Sequence, residues 1–363
     1  MTVAIVGAGI LALPYAVHKA GLVLGMVLII LGAAAANFSL RLLITCSELG
    51  QARSYMDLSS ATGGRRLAAF TQSVVCMNLF GTCVGYLVGS AELIQLGMRT
   101  FLGSDSRSVL VDRQALLLTL TLVFVLPLSL FRSLESLRFS SLFSIVCIVF
   151  MTLVIVIKYF QFVHQGLAPT IAYQFTHLAL FDWKLAHLLE SIPLVVFAFT
   201  CHPNVLPIYL VLKRRSSRRM YKVMNRSVGL ATTVYCLCSL VVVLTFGDAT
   251  LSNFLKNDYH GDGAVALLTN RRLHAGTHTL LSMLLVLAVV LVALAAGDIA
   301  SVLAVLGATT NPVICFVLPA FFVVRLAGKS SQHAAQKFVA VLLALVVSTA
   351  SALSLLHQLH VLH

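Results

Sequence analysis

The chain has 363 residues, 59% of them hydrophobic and only 10% charged, with a mean hydropathy of +0.98. One water-soluble core of this length cannot bury so much apolar side chain, because a folded surface in water has to be covered by polar residues; lipid is therefore the expected solvent for most of it. The net charge of +13 is spread between long apolar runs without forming a basic domain, which argues against nucleic acid as a partner, and the eight cysteines all lie in or beside those runs with neither a disulfide framework nor a zinc spacing.

The first stretch, TVAIVGAGILALPYAVHKAG (Thr2 to Gly21), can be read in two ways. Gly7, Gly9 and Ala12 have the G-x-G-x-x-A spacing of a dinucleotide turn. That fold needs an acidic residue about 20 positions on to hold a ribose. None appears before Glu48, and Pro14 interrupts the helix that such a turn has to open. In a membrane segment, Gly7 and Gly9 instead lower the cost of leaving helical geometry, and freed backbone N–H groups can face a carboxylate. No separate leader and no cleavable signal peptide are expected ahead of it.

About twenty apolar residues cross a bilayer core. Ten stretches are candidates: Thr2 to Val17, Leu22 to Leu49, Ala68 to Leu96, Ala115 to Phe131, Phe139 to Phe160, Leu188 to Leu212, Ser227 to Phe246, Thr279 to Ala296, Thr309 to Val324 and Phe338 to Leu356. The expected fold class is all-α, a polytopic membrane protein of about ten transmembrane helices forming one domain over residues 1–363. Gly63-Gly64-Arg65-Arg66 and Asp182-Trp183-Lys184 read as loops between spans.

A second interruption falls in the sixth stretch, at FTCHPNVLPIY (Phe199 to Tyr209). Pro203 and Pro207 have no N–H, so carbonyls in the preceding turn lose their donors. Within lipid such backbone is tolerated only where it is buried or lines a cavity. Two broken helices at corresponding positions of two repeats point to the central site of a transporter.

Beyond the sixth stretch, Lys213 to Arg226 holds seven basic residues and no acidic one. Such a block resists translocation and marks the cytoplasmic side, and a solvated linker between helices fits the same orientation. Counting back from it places the amino terminus inside and gives the inner loops a two-to-one excess of basic residues up to Phe246. The count then fails. Gly247 to Gly276 has no apolar run longer than the five residues Ala264 to Leu268, too short to cross, and without a crossing the loop of Arg325, Lys329 and Lys337 lies outside. One span is expected to be missing before Arg271.

At GAGILALPYAVHKAG, FTCHPNVLPIY and GDIASVLAVLGATTNPVICFVLPAFF (Gly297 to Phe322) the chain resembles the amino acid/auxin permease family, most closely its sodium-coupled neutral amino acid transporter branch. The resemblance implies eleven helices, the first ten forming two inverted five-helix repeats with broken first and sixth helices. It also implies that an amino acid meets unwound backbone at Val6, Gly7, Ala8, Gly9 and Ile10 and at Thr200, Cys201 and His202. Asn78, Thr82 and Tyr86, spaced by four, share one face of the third helix, as a wall of that site or as a packing surface. Two features depart from the family. Val3 stands where sodium transporters of this kind commonly carry Asn, and the eighth helix, which supplies a hydroxyl to the ion, has no counterpart between Gly247 and Thr279.

Those departures count against sodium and leave the coupling ion open, with protons as the other candidate. His202 is the titratable group for that role, or a neutral cap on freed carbonyls, which is the preferred reading. Glu92 and Glu190, at outer helix ends, are read as wet carboxylates rather than as a cation vestibule. Asp298 is read as a turn or helix start. No nucleophile–base set or metal-ligand spacing points to an enzyme, and no cofactor is implied. The expected function is transport of small neutral amino acids by alternating access, in the plasma membrane or a vacuolar or lysosomal membrane; the alternative is a non-transporting sensor or an inactive, shortened family member.

Overall fold

The computed structural model describes all residues except 8, 103–111, 127–136, 167–172, 174–177, 254–278, 297, 329–333 and 362–363. Every regular element among the described residues is a helix.

The first apolar stretch forms two pieces, α1 (Thr2–Ile5) and α2 (Gly9–Ala20). The chain turns at Gly21, φ 86°, into α3 (Leu22–Leu49). A Cβ at Gly21 would lie 2.9 Å from the Leu180 carbonyl oxygen, so a side chain has no room there. The first N–H groups of a helix lack partners inside it. Those of Leu22 and Val23 donate instead to the carbonyls of Ala179 and Leu180, at 3.0 and 2.9 Å.

α4 (Tyr55–Leu102) starts well before Ala68 and bends at Gly64, φ 70° and ψ −165°. The expected loop at Gly63-Gly64 is thus a kink. Ser59 Oγ donates to Thr71 Oγ1 across it at 2.7 Å, both buried, and this bond ties the two arms. α5 (Arg113–Leu120) continues into a π turn at Thr121–Val125 and is followed by α6 (Leu137–His164). The sixth stretch is again in two pieces, α7 (Leu185–Ala198) and α8 (His202–Leu210).

α9 (Ser217–Phe246) takes in much of the basic block that the sequence places in a loop. Met220 and Met224, one helical turn apart and fully buried, anchor this amphipathic extension, while Arg218, Arg219, Lys222 and Arg226 are exposed. The remaining helices are α10 (Thr279–Ala295), α11 (Ile299–Ala308), α12 (Thr310–Leu326) and α13 (Ala334–Val361). Among the described residues six helices are long and apolar enough to cross a membrane, or seven if α10 and α11, bent by 110°, count as one span.

The core is built around α2 and α7, which pack on each other more extensively than any other pair, with α9 against α2 and α3. Gly81, Gly85 and Gly89 form a stripe on α4 that receives Leu306, Leu303 and Ile299 of α11. Small residues at such spacing let membrane helices approach closely.

The ends of the helices sort onto two faces. On the first, Tyr209 Oη donates to Glu48 Oε1 at 2.7 Å, the Arg215 guanidinium lies 4.5 Å from the Tyr209 ring centre, and Gly50 abuts Leu326. On the second, Asn253 Nδ2 donates to Glu92 Oε2 at 2.8 Å and the Ile299 N–H to Glu92 Oε1 at 3.3 Å. Glu92 is therefore buried and not wet. Its carboxyl oxygens sit at the N-terminus of α11, where unpaired N–H groups of the helix need acceptors.

Because Ile299 lies on the second face and Leu326 on the first, α11 and α12 run in succession from one face to the other. Arg325 thus shares the face of the basic block, where the charge bias requires it, and not the opposite face. Asn253 and Ile299, on either side of α10, both meet Glu92 on the second face. Of the stretch read as lacking a span, Gly247–Ala249 forms a 3-10 turn, and 254–278 lie outside the described residues.

Candidate functional site

Both interruptions read from the sequence are breaks in the structure, and they touch. At the first, Val6 has φ −78° and ψ 80°, and the Gly7 N–H turns back to the Ile5 carbonyl at 2.9 Å. At the second, Phe199 and Cys201 leave helical geometry; the Thr200 N–H donates to the Phe197 carbonyl at 2.9 Å and the Asn204 N–H to the Cys201 carbonyl at 3.0 Å. A Cβ on Gly9 would lie 2.8 Å from Ala198 Cα, so the start of α2 rests directly on the end of α7.

Tyr235 of α9 joins them. Its hydroxyl lies 2.7 Å from the Ile5 carbonyl oxygen and 2.9 Å from that of Ala198, the last residues of α1 and α7. The side chain is fully buried, with its ring edge-on to Phe199 at 5.3 Å. A buried tyrosine hydroxyl takes a hydrogen-bond partner, and this one has two carbonyls that helix geometry has released.

The other expected residues divide. Val6, Gly9, Ile10 and Cys201 are buried at the breaks, and Gly7 and Thr200 are half-buried there; Ala8 lies outside the described residues. A Cβ on Gly7 would collide with the hydroxyl of Tyr86, so α4 does reach the first break, through the third member of its polar face. Asn78 and Thr82 make their bonds elsewhere. Asn78 Nδ2 donates to Thr310 Oγ1 at 2.9 Å and to Asn311 Oδ1, fastening α4 to α12, while Thr82 Oγ1 donates to the Asn78 carbonyl at 2.8 Å.

His202 does not cap released carbonyls, which corrects the preferred sequence reading. It is fully buried, and neither ring nitrogen has a hydrogen-bond partner. Its ring lies 6.4 Å from that of Phe316, between centres. Asn311 Nδ2 is also buried without a partner. Buried polar atoms are rarely left unpaired, so each such atom calls for an explanation.

Three contributions are not evident in the sequence. One is Tyr235, which stands in an apolar run, VYCLCSL, with nothing to announce its partners. Another is the π turn at Val313–Val317 within α12, a feature often found at functional sites. Its released carbonyls accept from Tyr55 Oη, at 3.1 Å to Ile314, and from Ser39 Oγ, to Cys315; the Cys315 thiol reaches Thr200 Oγ1 at 3.5 Å. The third is Glu190, which is ion-paired and not simply wet. Its carboxylate lies 3.2 Å from Lys19 Nζ of α2 and 3.8 Å from His357 Nε2 of α13, and accepts from Tyr15 Oη at 3.3 Å. Asp298 is the N-cap of α11, accepting from the Ser301 N–H at 3.1 Å, as its sequence context suggests.

The family model for transmembrane amino acid transporter proteins matches residues 1–268 and 266–361. The chain is also 26% identical over 410 residues to sodium-coupled neutral amino acid symporter 2 of Danio rerio, covering 98% of this chain and 81% of that protein. The aligned length exceeds the 363 residues of the chain, so gaps open within it, and the two family segments meet inside the stretch where the crossing count fails. With two broken helices packed at the centre of an all-helical bundle and a family match over almost its whole length, this multi-pass membrane protein belongs to the transmembrane amino acid transporter family, and it transports amino acids.

Proposed function

We propose that the chain carries small neutral amino acids by alternating access, with the substrate held between the two broken helices. The contact of the breaks at Gly9 and Ala198, spanned by Tyr235, carries this reading. Each break offers the end of one helix, where carbonyls concentrate negative charge, and the start of another, where N–H groups concentrate positive charge. An ammonium and a carboxylate on one carbon match that pair of poles, and no charged side chain is required. The resemblance to a neutral amino acid symporter favours an uncharged side chain. His202 and Asn311 would supply hydrogen bonds that they lack at present.

The wider architecture proposed is ten helices in two inverted five-helix repeats that rock about this centre. Because α2 and α7 are in direct contact here, the substrate enters only when they separate. Val3 and the short segment after Phe246 count against sodium and leave a proton as the other candidate for the coupling ion.

Uptake of labelled alanine or glutamine into proteoliposomes tests the proposal. The parent chain is expected to accumulate label and Gly9→Leu to lose at least about ten-fold, since its side chain cannot fit against Ala198. Accumulation driven by an imposed pH difference without sodium supports proton coupling; accumulation that needs a sodium gradient refutes it. Retained binding without any uptake would make the chain a sensor.

A further inference from the structure

A groove of about 510 Å³ opens on the lipid-facing side of the bundle between α3 and α9. Its walls follow helical spacing: Ile30, Ala33 and Asn37 on α3, and Asn225, Val228 and Thr232 on α9. Gly229 leaves its middle open, with nothing within 4 Å of the place a Cβ would take. From Asn225 to Cys236 the groove runs about 16 Å along the helix axis, which is about half of a bilayer's hydrocarbon thickness.

One end is polar. Asn225 Oδ1 accepts from Asn37 Nδ2 at 3.0 Å and from Arg41 Nη2 at 2.8 Å, while Asn37 Oδ1 is buried without a partner. The two wall stripes continue past this end into basic residues: Arg41 follows Asn37 by one turn on α3, and Lys222 and Arg218 precede Asn225 by one and two turns on α9. All three are exposed, and no carboxylate of the described residues pairs with them.

We propose that this groove binds one anionic phospholipid, with an acyl chain along Ile30, Ala33, Val228 and Gly229 and the phosphate at Arg41, Arg218 and Lys222. Three features select this occupant. The groove is as long as one leaflet is deep, its body is apolar, and its mouth carries three positive charges that a sterol hydroxyl could not neutralise. A free phosphate would leave the apolar body empty. Cations at a membrane surface favour anionic headgroups by a few-fold each, so three together select phosphatidylglycerol over phosphatidylcholine by more than about ten-fold.

The full chain, extracted from nanodiscs containing equal phosphatidylglycerol and phosphatidylcholine, is examined by native mass spectrometry for retained lipid. The parent is expected to keep one phosphatidylglycerol with at least that preference. Gly229→Leu fills open space without disturbing the core and is expected to lose the lipid with all charges in place. The double variant Arg41→Gln, Lys222→Gln is expected to lose most of the preference while the groove stays open. Equal retention of both lipids by the parent overturns the proposal. So does an undiminished preference in Gly229→Leu, which assigns the effect to surface charge alone, and so does a thermal shift from inorganic phosphate as large as that from phosphatidylglycerol.

Discussion

At the scale of single residues, Gly7 and Gly9 differ in what they face, and the difference predicts different outcomes for the same change. A methyl group at Gly7 meets the end of the Tyr86 side chain, and the nearest ring carbon would be 3.4 Å away. Gly7→Ala should therefore reduce uptake, and adding Tyr86→Phe should restore much of it by removing the colliding oxygen. A methyl group at Gly9 meets Ala198 backbone at 2.8 Å, which cannot swing aside. Gly9→Ala should cost about 1–3 kcal/mol of stability, and Tyr86→Phe should not rescue it. Thermal unfolding in detergent and vesicle uptake, measured on all four variants, check both statements. Tyr235→Phe keeps the ring and removes the hydroxyl, leaving buried carbonyls at Ile5 and Ala198 without that donor, for a loss of about 1–3 kcal/mol; an unchanged unfolding midpoint would contradict this.

The positions of the glycines and prolines were legible in sequence because backbone freedom and a missing N–H are local properties. The partners were not. Tyr235 and the Cys315 thiol meet the breaks through contacts between helices far apart in the chain, and no spacing rule encodes those. His202 shows the same limit from the other side. Its residue type suggested a cap, but both its nitrogens are buried without a hydrogen-bond partner.

At the scale of elements, helix ends were less legible than helix interiors. The apolar run of α9 starts at Ser227, yet the helix starts at Ser217, because Met220 and Met224 give the basic segment a buried seam. The start of α7 carries a pH dependence. The Lys184 N–H at 2.9 Å and the His187 ring at 2.8 Å hold the Asp182 carboxyl below its usual range. A carboxylate whose pKa is lowered by folding stabilises the fold above its unfolded value, about 3.9, and that contribution disappears as pH falls through the folded value. Asp182→Asn should therefore lower the unfolding midpoint at pH 7 and leave a smaller difference at pH 3. A gap that stays constant between these pH values would remove the carboxylate from this role.

At the scale of the whole molecule, charge counting found a fault in the topology but not its resolution. The sequence leaves residues 297–308 outside both Thr279 to Ala296 and Thr309 to Val324. The structure has α11 there, leading into α12, whose end at Leu326 meets Gly50. The sidedness can be measured: in a background with its eight cysteines replaced, single cysteines at Ser216 and Gly328 should react with an impermeant thiol reagent from the same side of the membrane. Reaction from opposite sides would place the ends of α8 and α12 on different faces and contradict the packing of Leu326 on Gly50.

A hydroxyl has a single hydrogen, and Tyr235 holds its oxygen within reach of two acceptors on two different helices. At any instant only one of them receives the proton. If one of these chain ends swings away, the O–H can rotate to the other carbonyl, so the contact between α1 and α7 can open without leaving the hydroxyl unpaired.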